Sequence, residues 1–191
     1  MAKVRTFIAV APGPEVVERA ERALMRLRRL ADNVKWVERS NLHWTLHFLG
    51  ELDDQEVYDV CKAAERAAGE VEAFSMIAEG VGAFPSNSRP RTLWLGAGEG
   101  GDGLVDLHAK LEEQLRPLGF RGETRKYVPH LTLGRAGRSL RPAESVALAE
   151  DLAKLTDFEG GSQTVEELIV YASRLRREGP EYAALATIPL S

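Results

Sequence analysis

The segments Asn41-Leu42-His43-Trp44-Thr45-Leu46 and Pro129-His130-Leu131-Thr132-Leu133-Gly134 carry one pattern, His-x-Thr inside a short apolar run. Side chains of an extended strand alternate faces, so His43 and Thr45 share one face while Trp44 and Leu46 point into a core. The same holds for His130 and Thr132 against Leu131 and Leu133. One His-x-Thr is a frequent coincidence of an ordinary strand. Two copies in matched surroundings carry weight, because two imidazoles and two hydroxyls supply a base, an acid and hydrogen-bond donors around one small anion.

The surroundings match. Stepping back 38 positions from each histidine reaches Arg5 and Thr92, at the openings of the strand-like Thr6-Phe7-Ile8-Ala9-Val10 and Thr92-Leu93-Trp94-Leu95. A helical stripe follows each: Val16, Ala20, Ala23, Leu24 and Leu27 in the first half, Leu104, Leu107, Leu111 and Leu115 in the second. Pro14 suits a first helical turn and Asp102 an N-cap. Past the first motif, Asp53 and Glu56 form a candidate capping box ahead of the stripe Val57, Val60, Cys61, Ala64, and a strand is expected over Phe74–Ile77. Past the second, the pattern predicts a helix over Pro142–Leu152, a strand over Val165–Tyr171 and a last strand around Tyr182–Leu185. The repeated order predicts a duplicated unit whose pseudo-twofold brings the motifs face to face.

A chain of 191 residues, 44% hydrophobic, can bury a substantial core, and we read residues 1–191 as a single bilobal domain. No run approaches the length of a membrane span, and Phe7–Ala11 is too short for a signal peptide. The lone Cys61 excludes an internal disulfide, and a cytoplasmic location is the default expectation.

The net charge of −4 argues against a protein that coats nucleic acid through a uniform basic surface. Its distribution says more. Between residues 121 and 141 stand Arg121, Arg125, Lys126, Arg135, Arg138 and Arg141 against the single acid Glu123, a formal charge of about +5 around the second motif. Such a cluster attracts a phosphate-bearing substrate. Arg135 is the candidate phosphate-binding cation, although strict alternation turns it away from His130 unless the backbone bends.

The segment 41–50 and Pro129-His130-Leu131-Thr132-Leu133-Gly134-Arg135 resemble the paired signatures of the 2H phosphoesterases. Within that superfamily the chain is most similar to the RNA 2′,3′-cyclic phosphodiesterases, also called 2′-5′ RNA ligases. Further segments fall in the family's order: Arg5–Val10, Phe84-Pro85, Arg91-Thr92-Leu93-Trp94-Leu95-Gly96, Tyr171-Ala172-Ser173-Arg174-Leu175 and Gly179-Pro180-Glu181-Tyr182. The resemblance implies an α+β fold of two antiparallel β-sheets with outer helices around a central cleft. It implies hydrolysis of an RNA 3′-terminal 2′,3′-cyclic phosphate to a 2′-phosphate, with reversible 2′-5′ ligation as an added capacity. It assigns His43 as proton donor to the leaving 3′-oxygen, His130 as the base that activates water, and Thr45 and Thr132 as phosphate-binding groups.

His47 continues the alternation of His43 and Thr45 toward the same cleft, where a structural or rim role is favoured over a catalytic one; His108, inside the Leu104–Leu115 stripe, is expected to pack. The chain lacks a His-Glu-x-x-His sequence, a Cys pair and a dense carboxylate cluster, so neither metal nor cofactor is expected. Gly98, Gly100, Gly101 and Gly103 lack the Walker lysine and read as a flexible connector. The expected partner is RNA with a 2′,3′-cyclic phosphate end, tRNA fragments included, met by a monomer. Two alternatives stand beside this: a non-catalytic RNA-end-binding module that stacks bases on Trp36 or Tyr127, and a phosphodiesterase for small cyclic nucleotides.

Overall fold

The structure, a computed structural model, describes residues 3–122, 125–137, 140–177 and 179–191. Among them, nine strands and four helices follow in the order β1 (Val4–Val10), α1 (Pro14–Arg28), β2 (Val34–Trp36), β3 (Trp44–Leu52), α2 (Asp54–Ala68), β4 (Phe74–Ser86), β5 (Arg89–Ala97), α3 (Asp102–Leu115), β6 (His130–Ala136), α4 (Pro142–Leu152), β7 (Glu159–Val165), β8 (Glu167–Arg176) and β9 (Gly179–Pro189). Every described ladder is antiparallel, and the strands line up β7-β4-β5-β6-β3-β1-β8-β9 with β2 beside β6.

That row is two four-stranded sheets joined at a narrow seam. Between β3 and β6 the paired residues are Trp44 and Leu131, whereas the neighbouring ladders pair along most of their length. Within each sheet the motif strand leads, as β3-β1-β8-β9 and β6-β5-β4-β7. The duplicated, bilobal α+β architecture expected from the sequence is therefore present.

The helices cross over between the sheets. Helix α1 follows β1 but packs on β7 and β2 of the other sheet, and α3 follows β5 but packs on β3 and α2. The stripes explain the pairing: α2 presents Val60, Ala63, Ala64, Ala67 and Ala68, small enough for close approach, and α3 presents Leu104, Leu107, Leu111 and Leu115, all fully buried. Each such leucine stabilises the fold by about 1.5–3 kcal/mol. Polar contacts fix the register: Lys110 Nζ of α3 donates to Glu70 just past the end of α2, and Arg26 donates two 2.7 Å bonds to Asp151 across α1 and α4.

Local signals mostly act as read. Pro14 opens α1, and Asp53 with Glu56 closes a capping box at 2.8 and 3.0 Å. Asp102 is the first residue of α3, with Gly101 at the N-cap. The run read as one strand over Val165–Tyr171 divides between β7 and β8, and β4 extends past Ile77 to Ser86. No helix among the described residues is long and apolar enough to cross a membrane.

Candidate active site

The seam builds the site. Trp44 and Leu131 pair and are fully buried, so the antiparallel register sets His43 across from Thr132 and Thr45 across from His130. All four alternate with those buried residues and share the opposite face. From below, the indole N–H of Trp44 donates to Gln163 Oε1 at 3.2 Å, and the same oxygen takes the backbone N–H of Gly13 at 3.0 Å. Gln163 of β7 thus fixes the motif strand β3 and the start of α1 together.

Both imidazoles are held in one way. Nδ1 of His43 donates to the carbonyl of Asn41 at 2.7 Å, and Nδ1 of His130 donates to the carbonyl of Val128 at 2.8 Å. A carbonyl only accepts, so the proton of each neutral ring sits on Nδ1 and the lone pair on Nε2. Aromatic rings brace both: Phe7 and Tyr182 stand 4.9 and 5.4 Å from the His43 ring, and Phe84 meets His130 edge-on at 5.0 Å. Burial pushes the His43 pKa below the ordinary imidazole value; the Asn41 hydrogen bond opposes this, and the positive charge of Arg135 and His130 adds to it.

A β-bulge follows each motif and changes what lines the cleft. In β6 Thr132 pairs with Trp94 and Gly134 with Leu93, leaving Leu133 as the extra residue; in β3 Thr45 pairs with Ala9 and His47 with Ile8, leaving Leu46 extra. Past each bulge the alternation shifts by one. Arg135 therefore lines the same cavity as His130 and Thr132, against strict alternation. At the matching place in β3 stands Phe48, 56% exposed, 6.1 Å from Phe7.

His47 lines the same cavity as Thr45 and His130, in a packed rather than an open position. Its side chain is 5% exposed, with Nδ1 donating to the Phe48 carbonyl at 3.1 Å. It stacks with His108 at 6.2 Å, and His108 lies parallel to Tyr127 at 4.1 Å. The Tyr127 hydroxyl donates to the Thr45 carbonyl at 2.8 Å, so the approach to β6 ties the second half to the first motif. Burial pushes the Tyr127 phenol well above its usual range.

Of the basic cluster, Arg121, Arg125, Lys126 and Arg135 line the cavity of about 370 Å³ that holds His130, Thr132 and Thr45. Arg141 does not: it caps α4, with its guanidinium 2.9 Å from Glu144. Arg138 lies outside the described residues. Sequence reasoning missed the bracing rings of Phe7, Phe84 and Tyr182 and the Tyr127 bond; the meeting of Phe7 with His43 and of Phe84 with His130 across ladders leaves no short-range mark. No group of three His, Cys, Asp or Glu able to hold a metal occurs among the described residues.

The profile of the LigT-like phosphoesterases matches the chain twice, over residues 10–94 and 95–182. A Thermotoga maritima protein named RNA 2′,3′-cyclic phosphodiesterase is 34% identical over 95% of this chain and 93% of its own length. One of that name from Methanothermobacter thermautotrophicus is 33% identical over 98% and 100%. Among solved structures, a Thermus thermophilus protein superposes with a TM-score of 0.80 at 26% identity, covering 97% of both chains. Escherichia coli LigT complexed with 3′-AMP gives a TM-score of 0.74 at 25% identity over 99% of both.

Proposed function

Because this chain belongs to the LigT-like phosphoesterase family, we propose that it hydrolyses the 2′,3′-cyclic phosphate at an RNA 3′ end to a 2′-phosphate, without a metal ion, and that the same groups carry reversible 2′-5′ ligation. The observation that carries this reading is the crossed arrangement of the motifs, in which each histidine faces the threonine of the other copy. The relatives' names supply the substrate class.

The step balances with groups already described. His130 Nε2 takes a proton from water as the water oxygen bonds to phosphorus; the P–O3′ bond breaks, and His43, protonated, gives its Nε2 proton to the leaving 3′-oxygen. Thr45 and Thr132 donate to the non-bridging oxygens, and Arg135 faces the charge that grows on them. The depressed pKa makes His43 a stronger acid, and the anionic phosphate favours its charging on binding. In ligation a 5′-hydroxyl replaces water as the nucleophile: its oxygen bonds to phosphorus as its proton passes to His130, and the P–O3′ bond breaks as His43 gives its proton to the 3′-oxygen, leaving a 2′-5′ phosphodiester.

The test is incubation with an oligoribonucleotide ending in a 2′,3′-cyclic phosphate, in excess EDTA. The expected product has gained the mass of one water and resists a 3′-specific phosphatase. A 3′-phosphate product, or tight binding without turnover, contradicts the reading, and activity lost to EDTA contradicts metal independence. Ligation is read in the same tube from the joined product after adding a 5′-hydroxyl oligonucleotide.

A further inference from the structure

We propose that the groove between β2 and the β8–β9 hairpin binds the RNA strand on the 5′ side of the reacting terminus, as a polyanion rather than by base sequence; this rests on the cyclic-phosphodiesterase reading above. A second cavity, of about 900 Å³, adjoins the catalytic one, and Arg135 lines both. Lys35, Arg176 and Arg177 stand along it, and Tyr182, whose ring is 5.4 Å from His43, lines it too.

The charges there are arranged at a cost. Lys35 pairs directly with Arg135 across the β2–β6 ladder, and both are exposed. Like charges facing each other across strands destabilise a sheet. Neither makes an ion pair with another described residue, and neither does Arg177; of the two acids in the groove, Glu181 is held by Arg176 at 2.9 Å and Glu38 pairs with no described base. A phosphate between Lys35 and Arg135 turns this repulsion into attraction, and a positive groove with an aromatic at its end is how single strands are tracked.

Position adds direction. The Asn41 side chain donates to the Pro180 carbonyl at 2.8 Å in the hairpin wall, while its own backbone carbonyl receives the His43 Nδ1 proton. The groove wall is thus joined through one residue to the imidazole assigned to the leaving 3′-oxygen. The cavity on the His130 side, less than half the volume, holds the terminal nucleotide and the attacking water.

The test compares a 2′,3′-cyclic mononucleotide with a hexanucleotide of the same terminus, using Lys35→Gln/Arg177→Gln and, at the other mouth, Arg125→Gln/Lys126→Gln. The groove variant is expected to raise KM for the hexanucleotide about tenfold, to reduce the salt slope of its binding by about 1 to 2, and to leave mononucleotide turnover within about twofold. Equal effects on both substrates, no effect on either, or length-dependent loss only in the Arg125/Lys126 variant overturns the proposal. Should the wild-type protein turn over neither substrate, the parent reading fails instead, and the groove is judged by fluorescence anisotropy of a labelled hexanucleotide. Weaker binding to the groove variant then supports it, and unchanged binding overturns it.

Discussion

His43 and His130 are oriented by the same device, an Nδ1 proton given to the carbonyl two residues upstream, at 2.7 Å to Asn41 and 2.8 Å to Val128. The bond fixes ring plane and tautomer together, so each Nε2 is presented to the seam between the two motif strands. Nitrogen-15 NMR of labelled protein at high pH is expected to show the Nδ1–H tautomer for both rings. An Nε2–H tautomer at His130 would remove the lone pair that takes the water's proton and refute the role given to it.

Arg135 enters the cleft because of the bulge at Leu133, and its charge adds to the burial that lowers the His43 pKa. Arg135→Gln removes a donor from the developing phosphate charge and is expected to lower kcat/KM by about 10² to 10³. Removing a cation also stabilises imidazolium, so the His43 NMR titration moves up in pH. A substitution that costs rate but leaves the His43 titration unmoved refutes the contact.

Tyr127 places a hydroxyl on the Thr45 carbonyl from the far side of the seam. Tyr127→Phe keeps the stacked ring and deletes one hydrogen bond, so a loss of about 1 kcal/mol in urea unfolding is expected, with kcat falling more than KM changes. An unchanged kcat would make the contact purely structural.

Glu144 is held far below the usual carboxylate range, first by the Arg141 side chain and backbone, then by Asn33 and Asp32. A carboxylate depressed in the folded state binds fewer protons there than in the unfolded chain. Its stabilisation is fully present above the ordinary carboxylate pKa and is lost progressively as pH falls from that value toward the depressed one. Glu144→Gln should lower Tm at pH 7 and approach the wild type in acid; a constant difference in Tm between pH 7 and pH 3 is the contrary result.

How far the sequence could be read depends on the range of each interaction. The alternation of His43 and Thr45 against Trp44 and Leu46 is a local property, and so are the Asp53 box and the leucine stripe of α3; all three appear in the fold. The bulges at Leu46 and Leu133 are decided by how many residues of β1 and β5 lie opposite, which a single strand does not reveal. The consequence reaches the site: past its bulge His47 is packed at 5% exposure on the cavity's wall, while Arg135 comes to the same cavity against its parity. Strand β2, three residues long, is too short to show a period, yet it carries Lys35 to its place beside Arg135. The exchange of α1 and α3 between sheets leaves no local mark, because an amphipathic stripe does not name the surface it covers.

The central claim, that the paired histidines divide acid and base work on a cyclic phosphate, is tested most directly by turnover of His43→Ala and His130→Ala on two matched substrates. One has the natural 3′-oxygen; the other has sulfur at the bridging 3′ position, a leaving group that needs no protonation. On the oxygen substrate each variant is expected to lose about 10² to 10⁴ in kcat. On the sulfur substrate His43→Ala should recover most of that loss and His130→Ala should not. Wild-type turnover in either variant on the oxygen substrate, or rescue of His130→Ala in place of His43→Ala, would contradict the account.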